Sequence, residues 1–175
     1  MNILWGNIFR KKLEEESLAF FLGAVPVFAE LGKRSRIQLE TLVHVRTYKA
    51  NETIFETGDP GSGMYVIRSG AVQVFERSPA GTEREVARLG PKDFFGESTL
   101  VVPAKRTASA RTLEPTVLVG LFRADITDLA KRRPGAAYRI LLCIAKIVSE
   151  RLHVADYELL RLRQKHPEYF EDFRS

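Results

Sequence analysis

Between residues 46 and 122 the chain breaks into short runs rich in Val, Ile, Phe and Tyr. Turn clusters part them at Asp59-Pro60-Gly61-Ser62-Gly63, Ser78-Pro79-Ala80-Gly81 and Gly90-Pro91-Lys92-Asp93. β-Branched and aromatic side chains suit a pleated surface, while Gly, Pro and Asp punctuate it. Val72, Gln73, Val74 and Phe75 show partial period-two alternation. Short strands at close spacing make a sandwich, barrel or roll. Helical patterns flank this segment. Residues 5–22 read as helix, with Glu14, Glu15 and Glu16 on one side and Phe9, Leu13, Phe20 and Phe21 on the other. Pro26 interrupts it, and residues 27–45 read as a second helical stretch. Helix resumes near Ala124 and runs long after Pro134. There Leu141, Ile144, Val148, Leu152, Ala155, Leu159 and Leu162 step by three and four along one stripe, until His166-Pro167 ends the pattern. Such a stripe could pack on the β segment or form a seam between two chains.

Residues 94–110, FFGESTLVVPAKRTASA, carry the chemistry. Glu97 stands nine residues ahead of Arg106 with an apolar turn between them. Gly96 has no side chain to block close approach of an anion. The residues after it can open a short helix whose first amides lack intrahelical partners. Arg106 offers a planar, permanently charged fork for two oxygens of one phosphate. Glu97 cannot sensibly face a phosphate and suits a neighbouring sugar hydroxyl, and it also stands where an acidic residue favours a first helical turn. Phosphate and ribose in one pocket mean a nucleotide, and a single Arg with one helical turn suits a singly charged phosphate.

These residues resemble the phosphate-binding cassette of the cyclic nucleotide-binding domain family, found in protein kinase A regulatory subunits, cyclic-nucleotide-gated channels and catabolite-activator-type regulators. Arg106-Thr107-Ala108-Ser109 looks most like the channel versions. A second block agrees: Gly58-Asp59, followed by Met64-Tyr65-Val66-Ile67-Arg68-Ser69-Gly70-Ala71-Val72-Gln73-Val74, resembles the family's G-D…Y-x-I-x-x-G-x-V-x-V pattern. The resemblance covers roughly residues 24–160. It implies a mainly β fold with flanking helices, a double-stranded β-helix or jelly-roll-like β-roll with N-terminal helices and a long C-terminal helix. The expected organisation is an N-terminal helical extension at 1–23, the domain itself at 24–165 and a short tail at 166–175.

The resemblance also assigns ligand-binding roles to Gly96, Glu97, Ser98, Arg106, Thr107, Ala108 and Asp156. The amide of Ser98 would serve the phosphate, where many relatives carry a larger apolar residue. Thr107 is either a strand residue or a hydroxyl reaching the phosphate or purine edge. Aligning Arg151-Leu152 with the similar pair of catabolite-activator-type members puts Ala155-Asp156 where they have small hydroxyl residues reaching adenine. Asp156 could accept from the guanine N1 and N2 edge or from the adenine amino group, or stand exposed on its helix. Gly58, Gly61, Gly63 and Gly70 are expected turn glycines with positive φ, Asp59 a turn residue, and Tyr65, Ile67 and Val72 lining of the roll.

Composition bounds the rest. A chain of 175 residues, 45% hydrophobic and 28% charged, is ordinary for one soluble domain. The single Cys143 excludes an intrachain disulfide, fits a reducing compartment and lies in an apolar helical run. The longest apolar run, 18–31, contains Pro26 and Glu30 and is too short to span a bilayer. The net charge of +5 is scattered in separate basic runs with no aromatic interleaving. His44, His153 and His166 are far apart and make no metal pattern, and no Ser has a nucleophile context.

The expected protein is therefore a cytoplasmic, non-enzymatic sensor of cAMP, with cGMP the alternative towards which Thr107 and Asp156 lean. It carries no metal, and its C-terminal helix closes over the purine to signal to an unidentified effector protein. The chain starts at Met and only about ten residues follow Lys165, so a stand-alone receptor without direct DNA binding is expected. A homodimer through the C-terminal helix is a further expectation. The alternative is a non-signalling scaffold or dimerisation module with a vestigial pocket. Membrane-surface docking by Ile3, Leu4, Trp5, Ile8 and Phe9 beside Arg10, Lys11 and Lys12 is a less favoured reading than packing on the domain.

Overall fold

The computed structural model describes residues 17–169. Strands β1 (His44–Tyr48), β2 (Thr53–Phe55), β3 (Pro60–Gly61), β4 (Gly63–Ser69) and β5 (Val72–Arg77) come first. They are followed by β6 (Glu83–Leu89), β7 (Phe94–Phe95), β8 (Ala104–Lys105), β9 (Ser109–Thr112) and β10 (Thr116–Phe122). Two four-stranded sheets result, ordered β1-β10-β4-β7 and β2-β9-β5-β6, with a small β3-β8 pair at the side. All pairings are antiparallel. Helices α1 (Leu18–Gly23) and α2 (Lys33–Glu40) precede the sheets, and α3 (Arg123–Arg132) and α4 (Pro134–Lys165) follow them.

The strand pleat divides the core in two. On β4, Met64 and Val66 face Leu22, Phe28, Leu39, Ile126, Leu129, Ile140 and Ile144 from the helices. Ile67 turns the other way, into the roll, with Tyr48, Val72, Phe95, Ala110 and Leu118; Tyr65 packs at the edge of that cluster. Alternate side chains point to opposite faces, so β4 and β10 are covered on both sides and carry apolar residues at both phases. In register, Leu118 faces Ile67 and Val119 faces Val66.

The tight turn from β4 to β5 depends on Gly70, at φ +88, where a Cβ would collide with the Thr116 side chain. Gly58 also has positive φ, as expected of turn glycines, but Gly61 and Gly63 do not. They lie in β3 and β4, and their need is close approach: a Cβ on Gly61 would stand 2.5 Å from the Thr99 side chain.

The helical stretch expected at 27–45 divides into a 3-10 turn, Pro26–Phe28, and α2, after which the chain is already strand at His44. Gly32 takes an extended conformation at the N-cap of α2 and breaks the run. β1 is then fixed by pairing with the distant β10, which local periodicity does not report. Of the helix expected at 5–22, residues 18–22 belong to α1, and Leu22 is fully buried in the helix-side core. Residues 5–16 of that stretch, the apolar and basic residues 3–12 with them, and residues 170–175 lie outside the described residues.

Helix α4 is 32 residues long, about 48 Å at 1.5 Å per residue. Its first turns bury Ala136, Ala137, Ile140 and Ile144. Farther along, the stripe leaves the domain: Val148, Leu152, Leu159 and Leu162 are 40%, 58%, 41% and 50% exposed. Among the described residues no helix is long and apolar enough to cross a membrane.

Candidate functional site

Strand β7 ends at Gly96, whose left-handed backbone (φ +77) turns the chain into a 3-10 turn, Glu97–Thr99. The first hydrogen bond of that turn is from Thr99 N–H to Gly96, so the amides of Glu97 and Ser98 precede it. Gly96 is needed for a second reason. A Cβ there would lie 2.5 Å from Nη1 of Arg106.

Arg106 is buried, and the protein itself holds its guanidinium. Nη1 donates to the Gly96 carbonyl at 3.0 Å and to the Thr99 hydroxyl at 2.9 Å, and Nη2 donates to the Gly63 carbonyl at 2.8 Å. The group lies 4.1 Å from the ring centre of Phe55. These bonds fix the plane of the fork, and Nε–H has no partner among the described residues. Burial lowers the pKa of Arg106, and Asp59 and Glu97 oppose that shift. Arginine nevertheless stays charged, because its ordinary value is so high.

The backbone of Arg106 joins the two sequence motifs. Gly58 N–H donates to the Arg106 carbonyl at 2.8 Å, and Arg106 N–H donates to the Asp59 carbonyl at 2.9 Å. Asp59 in turn accepts from Glu56 N–H at 2.8 Å. The Gly-Asp turn thus anchors the backbone of the arginine on both its N–H and its carbonyl.

One cavity of about 340 Å³ collects Gly96, Glu97, Ser98, Arg106, Thr107 and Ala108. Phe55, Val74, Ala87, Leu89, Phe94 and Phe95 supply its apolar wall. The lining thus combines a few charged and polar groups with a large apolar surface, the makeup of a small-molecule pocket. Asp156 does not line this cavity; it is exposed on α4. It lies five residues beyond Arg151, about 7.5 Å farther along the helix.

Sequence reasoning missed the role of Arg151, which served only to set the alignment of α4. Its Nη1 donates to Glu97 Oε1 at 2.5 Å, and its guanidinium lies 4.2 Å from the Phe94 ring centre. It forms the cavity wall on the helix side. An arginine beside the apolar stripe was the available signal. Phe55, beneath Arg106, carried no signal beyond strand propensity. Among the described residues no cluster of three or more His, Cys, Asp or Glu could hold a metal.

Residues 45–133 match the family model of the cyclic nucleotide-binding domain. The chain is 40% identical over 114 residues to the cyclic AMP receptor protein of Thermus thermophilus, covering 65% of this chain and 51% of that protein. It is 32% identical over 99 residues to the CRP-like cAMP-activated global transcriptional regulator of Mycobacterium tuberculosis, covering 57% of this chain and 44% of the relative. The chain spans about half the length of these curated relatives. In three dimensions it is similar to the N-terminal domain of a transcriptional regulator from Streptomyces coelicolor. That match has a TM-score of 0.68 and 30% identity, and covers 77% of this chain and 94% of the other.

Proposed function

This chain belongs to the cyclic nucleotide-binding domain family, and from that premise we propose that it is a sensor of cAMP, with cGMP as the competing ligand. Arg106 and the amides of Glu97 and Ser98 take the cyclic phosphate. Glu97 takes a ribose hydroxyl, and Thr107 and Ala108 flank the phosphate. The purine lies against the apolar wall, and Asp156 reaches it only when α4 moves or a second chain brings its own. The observation that carries this reading is the convergence of Arg106 and Glu97 on one cavity with a large apolar wall. The role is binding rather than catalysis. The domain proper is assigned to 24–165, and its setting to the cytoplasm.

The relatives with cAMP in their names include a receptor protein and a transcriptional regulator, about half of each being covered by the match. We assign to this chain transmission by α4 to an effector protein, without direct DNA contact, and pairing of two chains along the exposed stripe. That stripe also supports the second reading, a dimerisation module whose pocket no longer signals. Titration calorimetry with cAMP and cGMP on the wild type and on Arg106→Ala tests the proposal. Heat from one nucleotide, lost in a folded Arg106→Ala chain, is expected. A wild type silent to both ligands favours the scaffold. A ligand at a hundred times its Kd should also raise stability by about 2.7 kcal/mol in a thermal melt.

A further inference from the structure

Thr99 is 2% exposed and closes the 3-10 turn after Gly96. Its hydroxyl donates its one proton to the Gly96 carbonyl at 3.1 Å and accepts from Arg106 Nη1 at 2.9 Å. Its carbonyl accepts from Nη1 of Arg123 at 2.9 Å. Arg123 also reaches the Gly61 carbonyl with Nη2 at 3.2 Å, and its own N–H donates to the Ser62 carbonyl at 2.8 Å. Arg106 meets the neighbouring carbonyl of Gly63. Two arginines therefore grip the same backbone strip, 61–63, and the same threonine from two sides. Neither Thr99 nor Arg123 lines the cavity. Arg123 is the first residue of α3, which packs on α4.

We propose that Arg123 is a positioning residue for the phosphate subsite: through Thr99 it sets the plane in which Arg106 meets the phosphate, and it ties that plane to the start of α3. The inference rests on the cyclic nucleotide reading above. The Thr99 hydroxyl has one proton and two lone pairs, so its direction follows from where its backbone is held. The planar fork of Arg123 holds the Thr99 and Gly61 carbonyls together. A lysine is a single point donor on a flexible stem and cannot fix both at once. Movement of the phosphate against Arg106 then reaches α3 without passing through Arg151.

The test is titration calorimetry of the full chain with cAMP and with its Sp and Rp phosphorothioate diastereomers, which place sulfur at one or the other exocyclic phosphate position. Arg123→Lys and Thr99→Val are expected to change the ratio of Sp to Rp affinity by about tenfold or more, on the scale of one charge-assisted hydrogen bond. Thr99→Ser keeps the hydroxyl and is expected to keep the wild-type ratio. The double variant is expected to change the ratio no more than either single one. A merely structural role would weaken both diastereomers in parallel, and an unchanged ratio in folded Arg123→Lys overturns the inference. Should Arg123→Lys fail to fold, an unchanged ratio in Thr99→Val overturns it instead. A wild type that binds none of the three ligands overturns the functional reading, whereas binding with an invariant ratio overturns only the role of Arg123.

Discussion

Arg151 and Glu97, 54 residues apart in the chain, meet at 2.5 Å, so the long helix grips the very carboxylate assigned to the ribose. The arginine is about half exposed and the glutamate 14% exposed, so the pair contributes little to global stability, about 0–1 kcal/mol. Its consequence is competition, because a ribose hydroxyl entering the cavity must share or displace Arg151. We expect Glu97→Gln to weaken cAMP binding by about tenfold, the scale of a hydrogen bond to a charged group. The same substitution should hardly change binding of the 2′-deoxy analogue. Equal losses for the two ligands in calorimetry would remove Glu97 from the ribose.

Truncating Arg106 carries two penalties. The phosphate loses its cation, and the Gly63 carbonyl and the Thr99 hydroxyl lose a buried donor. Arg106→Ala is expected to reduce cAMP affinity by at least about a hundredfold and stability by about 1–3 kcal/mol. Urea denaturation beside calorimetry separates the two effects. A variant as stable as the wild type would mean that the inward bonds contribute nothing.

Much of this site was legible in the sequence because its parts are local. Gly96 and Glu97 open one turn and Arg106 directly follows the short strand β8 beyond it, so spacing alone nearly determines their neighbourhood. The Gly-Asp turn was legible as a turn, but its bonds to the Arg106 backbone were not, since they join segments 47 or more residues apart. Arg151 was hidden for the same reason: its role depends on the path of α4 over β7. The start of β1 at His44 was misjudged because pairing with β10 overrides local helical spacing. Asp156 was assigned by alignment, and the pitch of α4 carries it past the cavity described for a single chain.

Gly96 is expected to be the least replaceable residue of the cassette. An alanine there must adopt φ near +77, at about 1–2 kcal/mol, and its Cβ would stand 2.5 Å from Arg106 Nη1. Gly96→Ala should therefore lose more stability than the backbone strain alone and also displace the phosphate fork. Chemical denaturation and calorimetry on the same preparation check both, and retained affinity would show that Arg106 can re-seat.

The exposed face of β5, β6 and β9 predicts a particular acid limb. Hydrogen bonding to Arg77, with Arg111 adding, holds the Glu83 carboxyl below its ordinary 4.5. Arg88 and then Gln73 do the same for Glu85. A carboxyl with a depressed folded pKa contributes stability that is complete above the unfolded value and fades as pH falls through the folded one. Melting temperature should thus fall between about pH 5 and pH 3, less steeply in Glu83→Gln and less steeply at about 1 M salt. Identical slopes in wild type and variant would count against the network.

The far half of α4 carries the last expectation. Val148, Ala155 and Leu162 recur every seven residues, and Leu152 and Leu159 recur between them at the same interval. That is the a and d pattern of a two-chain seam rather than the broader stripe of a helix lying on a domain. The packing agrees: Ile144 is buried while Leu152 is 58% exposed. Leu159→Glu places a charge in the seam, seven residues from Leu152 and beyond the cavity wall at Arg151. We expect the wild type to sediment as a dimer and Leu159→Glu as a monomer, with a single-chain melting transition preserved because the roll and its two cores are untouched. A wild type that stays monomeric at high concentration would leave the stripe to an effector protein instead.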